Sequence, residues 1–552
     1  MIPRREFEMY LELVRRSEVH TTIEEELRKG TGGAPRQLDV DVFLAAGILT
    51  ATHHRTAKLT RVRKLMTREL SLSVQHSYGI RSQEHQLVTM RQIYYLVDRI
   101  ANMYEFSDKR LPDLTVNERT RREEAFTSLI DRLISSPSMY LDPADRYAVD
   151  ATSIESAARG KFSSKKLAQL DKPTLDKRKC PVRGVCADMD ARWGYQTETY
   201  DNKTSMYFGY HMMAFTRVGA AGEKDVPVLI EHMRMVPANS DGLQETVDVI
   251  EARHLTPNPI AEILSDRAFS FSVVENWAKV LSDLGVMQVM DMHDNDRGAR
   301  PHPTDGYVMI DGWPHAASIP DHLVRIARPT NLSVGPARKN ATKRKKAKRA
   351  ALVAEVTKFR ALIAERATYR FERHGKTAGG NYRYESPARA GKLRCAGYPE
   401  SLHLPADTPE CVHPAGQPIP KACRQRTITV SENVGLKLRQ ELYWGSDEWI
   451  ESYARRSRVE SSFGLLKASD GGGIKRGWTL HTGLIRTTLL LALQVTASNL
   501  RVLLSWAKRN GWTADPLTKV DLTDHGFIEA GADGLPLTEA TTGPPREDQT
   551  AA

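Results

Sequence analysis

Hydrophobic and polar residues follow different periods in successive parts of the chain. Residues 1–140 contain segments such as LDVDVFLAAGILTATHH and AKLTRVRKLMTREL, in which apolar residues recur at the spacing of an α-helix. From residue 145 onward, short runs rich in β-branched and aromatic residues predict strands. These runs are 146–153, 206–218, 226–236, 261–266 and 285–292.

Two helical segments separate the later strands, NSDGLQETVDVIEARHL and SVVENWAKVLSDL, and the first begins with the capping residues Ser240 and Asp241. The predicted order is strand, strand, strand, helix, strand, helix, strand. That order predicts an α/β fold in which helices cover a mixed sheet, preceded by a helical N-terminal domain.

The strand and helix pattern then lapses over residues 293–447. This segment contains one short strand, GYVMIDGW, and the run RKNATKRKKAKR (338–349), in which eight of twelve residues are basic. Such runs are usually solvated or disordered, and contact with phosphate groups is the alternative that we weigh equally. The run includes Lys343, Arg344, Lys345 and Lys346.

The stretch YARRSRVESSFGLLK (453–467) predicts one amphipathic helix. At about 100° per residue, Tyr453, Arg456, Glu460 and Lys467 would share one side of it. Val459, Phe463 and Leu466 would form a neighbouring apolar stripe that anchors the helix to a core, and an ordinary solvated face is the alternative. A glycine-rich turn and a long apolar helix, GLIRTTLLLALQVTASNLRVLLSWAK, follow, and residues 511–552 are predicted to be disordered.

Composition narrows the choice of partner and compartment. The net charge of +11 favours a polyanionic partner, with nucleic acid first. Five cysteines, an odd number, favour a reducing compartment over a disulfide framework. The N-terminus does not resemble a signal peptide, and the most apolar run, 489–495, is too short to span a bilayer, so we expect a cytoplasmic protein. The chain has no Walker loop or GxGxxG motif, so nucleotide hydrolysis has no sequence support.

Three carboxylates stand at positions where a metal site could form. Asp150 is predicted to end the first strand, Asp266 to end the fourth, and Glu460 to lie on the helix after the patternless segment. Mg²⁺ prefers oxygen ligands, and two such ions can support displacement at phosphorus. Asp291 and Asp294 are rivals for the second aspartate because they follow the next strand.

Several motifs together resemble one family. YARRSRVESSFGLLK matches the Y-(2)-R-(3)-E-(6)-K signature of bacterial insertion-sequence DDE transposases, with the four residues named above in register. VDATSIE resembles the first-aspartate segment of those enzymes, and LSDRAFS resembles the second. The block DARWGYQTETYDNKTSMYFGYHMMAF is also similar, except that Tyr210 is followed directly by His211. The resemblance covers about residues 145–508.

The resemblance implies a ribonuclease-H-like fold and a role for each motif residue. Asp150, Asp266 and Glu460 would be catalytic and would hold Mg²⁺ or Mn²⁺, and Tyr453, Arg456 and Lys467 would contact phosphates and bases of the transposon end. The partner would be double-stranded DNA, both terminal inverted repeats and target, bound by a homodimer or larger assembly at the bacterial nucleoid.

On this interpretation the chain divides into five parts. Residues 1–140 would form a helical domain that binds DNA, with ordinary solvated amphipathic helices as the alternative that we weigh equally. Residues 141–292 would form the first part of the catalytic core. Residues 293–447 are an insertion, residues 448–510 complete the core, and residues 511–552 form the tail.

The insertion also contains Cys395, Cys411 and Cys423, with His403 and His413 between them. Thiolates and imidazole suit tetrahedral Zn²⁺, and a loop-rich segment would gain stability from it. The cysteine spacings of 16 and 12 match no compact zinc knuckle. We take Cys395, Cys411, Cys423 and His413 as a candidate zinc site.

Two functions from other classes stay open. A domesticated relative would bind DNA without cutting it, and a stand-alone nuclease of the same fold would cut without preference for transposon ends. An intact set of carboxylates and end-contacting residues favours the transposase.

Overall fold

The structure is a computed structural model that describes residues 1–28, 38–108, 110–160, 187–197, 204–223, 225–269, 272–300, 306–332, 334, 342–413 and 416–511. Almost all of the predicted disordered tail, and the first part of the basic run, therefore lie outside the described residues. The protein is mixed α/β, with a mixed sheet and many helices. It divides into two compact units, and their described parts fall within Met1–Val218, Lys224–Val249 and Ser457–Ala552 for the first, and within Gly219–Glu223 and Ile250–Arg456 for the second.

The N-terminal part of the first unit is mostly helical, as its periodicity predicts. Its helices are α1 (Arg4–Arg16), α2 (Val19–Arg28), α3 (Val40–His54), α4 (Leu59–Lys64), α5 (Leu72–Ser77), α6 (Met90–Met103) and α7 (Val116–Ser135). A π-helical turn, Leu65–Glu69, follows α4, and a 3₁₀ turn, Ser136–Tyr140, follows α7.

Four antiparallel strands follow in the first unit. They are β1 (Arg146–Glu155), β2 (Arg192–Thr197), β3 (Thr204–Arg217) and β4 (Ile230–Pro237), and β3 pairs with each of the other three. The sequence pattern missed β2, whose six residues RWGYQT include a glycine and lack a continuous apolar side. The helix α8 (Leu243–His254) comes next, and the division between the units falls within it.

The position of Asp150 differs from the prediction. It lies in the middle of β1, opposite Ala214 of β3, and the strand continues to Glu155. The reason is that β3 is 14 residues long and supplies backbone partners beyond Asp150 whatever the side-chain pattern.

Two further helices complete the first unit, α14 (Ser457–Lys467) and α15 (Leu484–Arg509). The apolar helix α15 packs against α3, α6, α7, α14 and β4. Its Asn499 donates to the carbonyls of Ile134 and Ile230 at 2.8 and 2.6 Å and accepts from the Ile230 amide at 3.0 Å. Among the described residues α15 alone is long and apolar enough to cross a membrane, but 83% of its most apolar stretch is buried inside the protein. That burial is what a core helix shows.

The second unit contains three groups of strands. The strands β5 (Glu262–Ser265) and β6 (Met287–Met290) are parallel, with the short helix α9 (Ala278–Asp283) between them in the chain. The strands β7 (Ala299–Arg300), β8 (Tyr307–Ile310) and β9 (Trp313–Ala316) form an antiparallel sheet, as do β10 (Glu372–Lys376), β11 (Tyr382–Glu385) and β12 (Thr427–Val430). Its other helices are α10 (Asp321–Val324), α11 (Lys343–Thr368), α12 (Lys421–Arg424) and α13 (Asp447–Ala454). Short 3₁₀ turns are Val274–Asn276, Pro399–His403 and Leu436–Leu438.

The segment 293–447 is thus more regular than its sequence pattern indicates. Its six strands have two to five residues each, which is too short for a period of two to be visible. Lys343–Arg349 form the exposed first turns of the 26-residue helix α11, where the Thr342 hydroxyl accepts from the Lys345 amide at 3.4 Å. The described part of the basic run is therefore helical and exposed.

The predicted single helix over 453–467 is wrong. The chain leaves α13 at Ala454 and starts α14 at Ser457, so Tyr453 and Arg456 do not share a helix with Glu460 and Lys467. At the break, the amides of Arg455 and Arg456 bond to carbonyls three residues back, at 3.2 and 2.9 Å. A buried side-chain pair holds Arg455 there, because its guanidinium binds Glu262 of β5 in bidentate fashion at 2.8 and 2.6 Å.

Buried ion pairs hold together parts of both units. In the second unit Arg366 of α11 donates to Asp311 at 2.6 Å, and both side chains are at most 1% exposed. In the first unit Arg110 donates to Asp190 at 2.7 Å, and the Ser107 hydroxyl donates to the other carboxylate oxygen at 2.7 Å. Burial alone would raise the pKa of Asp190, but Arg110 and the hydrogen bonds outweigh burial and lower it.

Candidate metal centre and candidate carboxylate site

The segment between β11 and β12 brings three cysteines and one histidine together. The ligand atoms of Cys395, Cys411, His413 and Cys423 all lie within 4.8 Å of one another. In the part of the chain that the structure describes, this is the one group of three or more histidine, cysteine, aspartate or glutamate residues that meets this distance. The three thiols are buried and the imidazole is half-buried.

Backbone contacts bring these four residues together. The Cys411 amide donates to the Arg394 carbonyl at 2.8 Å, and the Arg394 amide donates to the Pro409 carbonyl at 2.9 Å, so the first two cysteines lie side by side. The Ser401 hydroxyl accepts from the Cys395 amide at 2.8 Å and thereby fixes the turn that follows. A Cβ on Gly397 would lie 2.9 Å from the Cβ of Cys423, so the third cysteine approaches only because this residue is glycine.

The thiols influence one another strongly. Hydrogen bonds from Cys411 and Cys423 lower the pKa of Cys395 to about 2, whereas the bond to Cys395 raises the pKa of Cys411 to about 11. The Cys395 sulfur also lies 3.3 Å from Nε2 of His413. Several thiolates this close would repel each other, and a bound cation would offset that repulsion.

This donor set fits a metal ion such as zinc. Zn²⁺ with Zn–S bonds of about 2.3 Å in a tetrahedron places sulfurs about 3.8 Å apart, which is within the observed limit of 4.8 Å. The predicted cluster of Cys395, Cys411, Cys423 and His413 is thus confirmed as a group that could hold a metal. His403, the other histidine of the segment, is exposed and outside the group.

The predicted carboxylates are divided between the two units. Asp150 and Glu460 belong to the first unit, and Asp266 belongs to the second. Lys467 belongs to the first unit, and Tyr453 and Arg456 belong to the second.

In the second unit, Asp266 follows β5 directly and is half-buried. Its Oδ1 accepts from the Ala268 amide at 2.8 Å, and its Oδ2 lies 3.7 Å from Nη2 of Arg456. Arg455, the residue before Arg456, pairs in bidentate fashion with Glu262, which is the first residue of β5. Two of the motif residues predicted from sequence, Asp266 and Arg456, are therefore neighbours.

Tyr453 lies on α13 and stacks on Trp449, with ring centroids 4.8 Å apart and an interplanar angle of 8°. The indole of Trp449 donates to Gln440 at 3.0 Å, and the same oxygen of Gln440 accepts from the Met290 amide of β6 at 2.7 Å. Burial raises the pKa of Tyr453, and the charges of Asp291 and Asp266 raise it further. The phenol is therefore neutral, although the charge of Arg456 acts on its pKa in the opposite direction.

The two rival aspartates have other partners. Asp291 is 3% exposed, pairs with Arg328 at 2.8 Å and accepts from the indole of Trp444 at 3.2 Å. Asp294 is exposed and pairs with Arg297, and that ion pair lowers its pKa. Asp266 combines partial exposure with a motif arginine, which favours it as the second aspartate.

In the first unit, α14 packs on β1 and β3, the strand pair that contains Asp150. Ser462 of α14 lies 3.2 Å from the hydroxyl of Thr216 on β3, and Lys467 donates to Ser153 of β1 at 3.0 Å. Burial lowers the pKa of Lys467, and Glu155 opposes this effect. Glu460 lies on the exposed side of the same helix.

Sequence reasoning missed the residues that support these positions. Glu262, Arg455 and Gln440 act through contacts with residues far away in the chain, and no local pattern marks them. Ser401 acts on Cys395, which lies six residues earlier. Lys343, Arg344, Lys345 and Lys346, which were predicted, are exposed on the first turns of α11.

No protein-family model, curated protein or solved structure matches the chain.

Proposed function

We propose that the protein is a metal-dependent DNA transposase of the DDE type, which cuts DNA at transposon ends and joins them to a target. The observation that carries this proposal is the neighbourhood of Asp266 and Arg456, two residues of separate sequence motifs, at 3.7 Å. The motif Tyr453, Arg456, Glu460 and Lys467 supplies the rest of the support.

Each side chain has a role that suits its chemistry. Asp150, Asp266 and Glu460 would hold Mg²⁺ or Mn²⁺, which would supply Lewis acidity for a water or 3′-hydroxyl nucleophile and for the leaving oxygen. Arg456 offers a planar fork to a phosphate, and its pairing with Asp266 orients that fork before DNA binds. Lys467 is partly desolvated and would contact phosphate as a point charge.

The fold supports this proposal at a coarser level. A mixed sheet with helices on its faces is compatible with the ribonuclease-H-like fold of the family. The exposed basic turns of α11 and the N-terminal helices would contact double-stranded DNA, and synapsis of two ends would require a homodimer or a larger assembly.

The test is strand cleavage on a duplex that contains the DNA flanking the reading frame, with Mg²⁺ or Mn²⁺. We expect wild type to cut at the repeat boundary, and Glu460→Gln and Asp266→Asn to abolish cutting without changing the affinity for the ends by more than about threefold. Asp294→Asn is the matched control, because it removes an exposed aspartate of the same unit and should leave cutting intact.

The other outcomes identify the alternatives. Specific binding of the ends by wild type without cleavage would indicate a domesticated DNA-binding relative. Cleavage of any duplex with equal efficiency would indicate a nuclease without end specificity. Retained cutting by Asp266→Asn would refute the assignment of the second aspartate.

A further inference from the structure

An arginine-rich cleft of about 400 Å³ opens on the first unit, away from the residues assigned above. It is lined by the end of α3, by residues 225–228, by one side of α14 with the loop after it, and by α15. Its charged residues are Arg55, Arg458, Arg501, Arg509, Asp225 and Asp470. Four guanidinium groups thus face two carboxylates, and the cleft carries a net positive charge.

Arg501 leaves one buried donor of the cleft unsatisfied. Its Nη1 is buried, and within the described ranges of the chain it has no hydrogen-bond partner. Burial and the nearby charge of Arg55 lower the pKa of Arg501 to about 10. Asp470 opposes this effect only in part, so a buried cationic donor remains unsatisfied.

The rim of the cleft is fixed by backbone geometry. The glycines after α14 fold back on its last turn, where the Gly472 amide donates to the Leu465 carbonyl at 2.8 Å and the Ile474 amide to the Leu466 carbonyl at 3.0 Å. A Cβ on Gly471 would lie 1.8 Å from the Leu465 oxygen, so only glycine permits this turn. The loop therefore holds its position against α14 before any ligand binds.

The cleft lies on a different side of α14 from Glu460. Arg458, Ser461 and Leu465 line the cleft, whereas Glu460 and Lys467 lie about 140° away around the helix axis. A ligand in the cleft would therefore contact α14 without touching the proposed catalytic glutamate.

We infer that this cleft is a binding site for a phosphate group. Guanidinium groups bind phosphate oxygens in bidentate fashion, and the exposed hydroxyl of Ser505 adds a neutral donor at the cleft wall. The phosphate comes from one of two sources, a free phosphorylated anion or the backbone of DNA. The DNA source rests on the proposed function, and the free anion does not.

The first experiment measures pyrophosphate binding to the full chain by calorimetry. One charge-assisted hydrogen bond contributes about 1.5–3 kcal/mol, so Arg501→Gln should weaken binding by about 10-fold to 100-fold. Arg509→Gln tests the same cleft at an exposed residue that cannot disturb the core. Lys508→Gln is the matched control, because it removes the same charge from the neighbouring exposed position of α15 outside the cleft.

The second experiment measures binding of a random-sequence duplex over a range of salt concentrations. If DNA supplies the phosphate, Arg501→Gln and Arg509→Gln should each reduce the log–log salt slope by about 1, and Lys508→Gln should not. Weaker pyrophosphate binding with an unchanged slope would assign the site to a free anion.

The inference is overturned if neither probe distinguishes the two cleft variants from Lys508→Gln. Its failure is separable from failure of the proposed function. If the wild type cuts no DNA but Arg501→Gln binds pyrophosphate more weakly than the wild type, the phosphate site stands and the transposase proposal is refuted. If the wild type cuts the transposon ends and the cleft variants bind both probes as Lys508→Gln does, the transposase proposal stands and the phosphate site is refuted.

Discussion

Removal of the metal should unfold the segment between β11 and β12 while leaving the first unit intact. The segment runs from Ser386 to Arg426 and contains, among its described residues, only one 3₁₀ turn and the four-residue helix α12. Apart from the thiols, its buried apolar side chains are Ala388, Leu393 and Ala422. It has little apolar core of its own.

The magnitude follows from that small core. Burial of one leucine and two alanines contributes about 3–5 kcal/mol, at about 0.8 kcal/mol per methylene-sized group. Ordering the backbone costs about 1–2 kcal/mol per residue, so these side chains cannot order the segment alone. Free zinc at about 1,000 times its dissociation constant would add about 4 kcal/mol, which is as much as those buried side chains contribute together.

The assay is hydrogen exchange before and after treatment with a zinc chelator, together with the metal content of the purified protein. We expect one zinc per chain and loss of protection in peptides from 386–426, with unchanged protection in α15. Cys395→Ser and His413→Ala should lower zinc affinity by more than about 100-fold, because each removes a ligand and not merely a supporting residue.

His403→Ala is the matched control, since this histidine belongs to the same segment but lies outside the cluster. Equal zinc content in wild type and Cys395→Ser would refute the assignment of the ligands. Unchanged exchange after chelation would refute the stabilising role.

Three further predictions concern stability. Either Asp311→Asn or Arg366→Met should lower the free energy of unfolding of the second unit by about 3–5 kcal/mol in urea titrations. The double variant should lose less than the sum of the two single losses, and an additive double variant would contradict the pairing. Because the pKa of Asp190 is lowered in the folded state, its pairing with Arg110 stabilises the protein above the unfolded pKa and ceases to do so as pH falls through the folded pKa. Asp190→Asn should therefore shift the urea midpoint at pH 7, and the shift should diminish in acid as Asp190 becomes protonated in the wild type. An equal shift at neutral and acid pH would argue against linkage. Gly397→Ala should reduce zinc retention because the added Cβ would contact Cys423. Full zinc content at wild-type stability would show instead that the turn can relax.

The sequence predicted the chemistry and the four members of the candidate metal cluster, but it did not show how the fold brings them together. Three cysteines and two histidines in one segment indicated zinc, and the structure includes His413 and excludes His403. Spacings of 16 and 12 residues cannot show which histidine a fold brings to the thiols. The contacts of Arg394 with Pro409 and Cys411 make that choice.

The signature helix shows the opposite case. Periodicity predicted one helix over 453–467, and the structure breaks it at Arg455 and Arg456. The bidentate contact of Arg455 with Glu262, a residue nearly two hundred positions earlier, stabilises the break. A pattern within fifteen residues cannot register such a partner.

The sequence by itself determined the α/β character, the helical N-terminal part, the buried apolar helix and the residue types for a metal cluster, because periodicity and composition are local properties. Only the tertiary structure decided that Asp150 lies inside a strand and that Asp266 has Arg456 as its neighbour. It also showed that four distant arginines share one cleft. These features depend on contacts between residues far apart in the chain, whose free energy no local pattern contains.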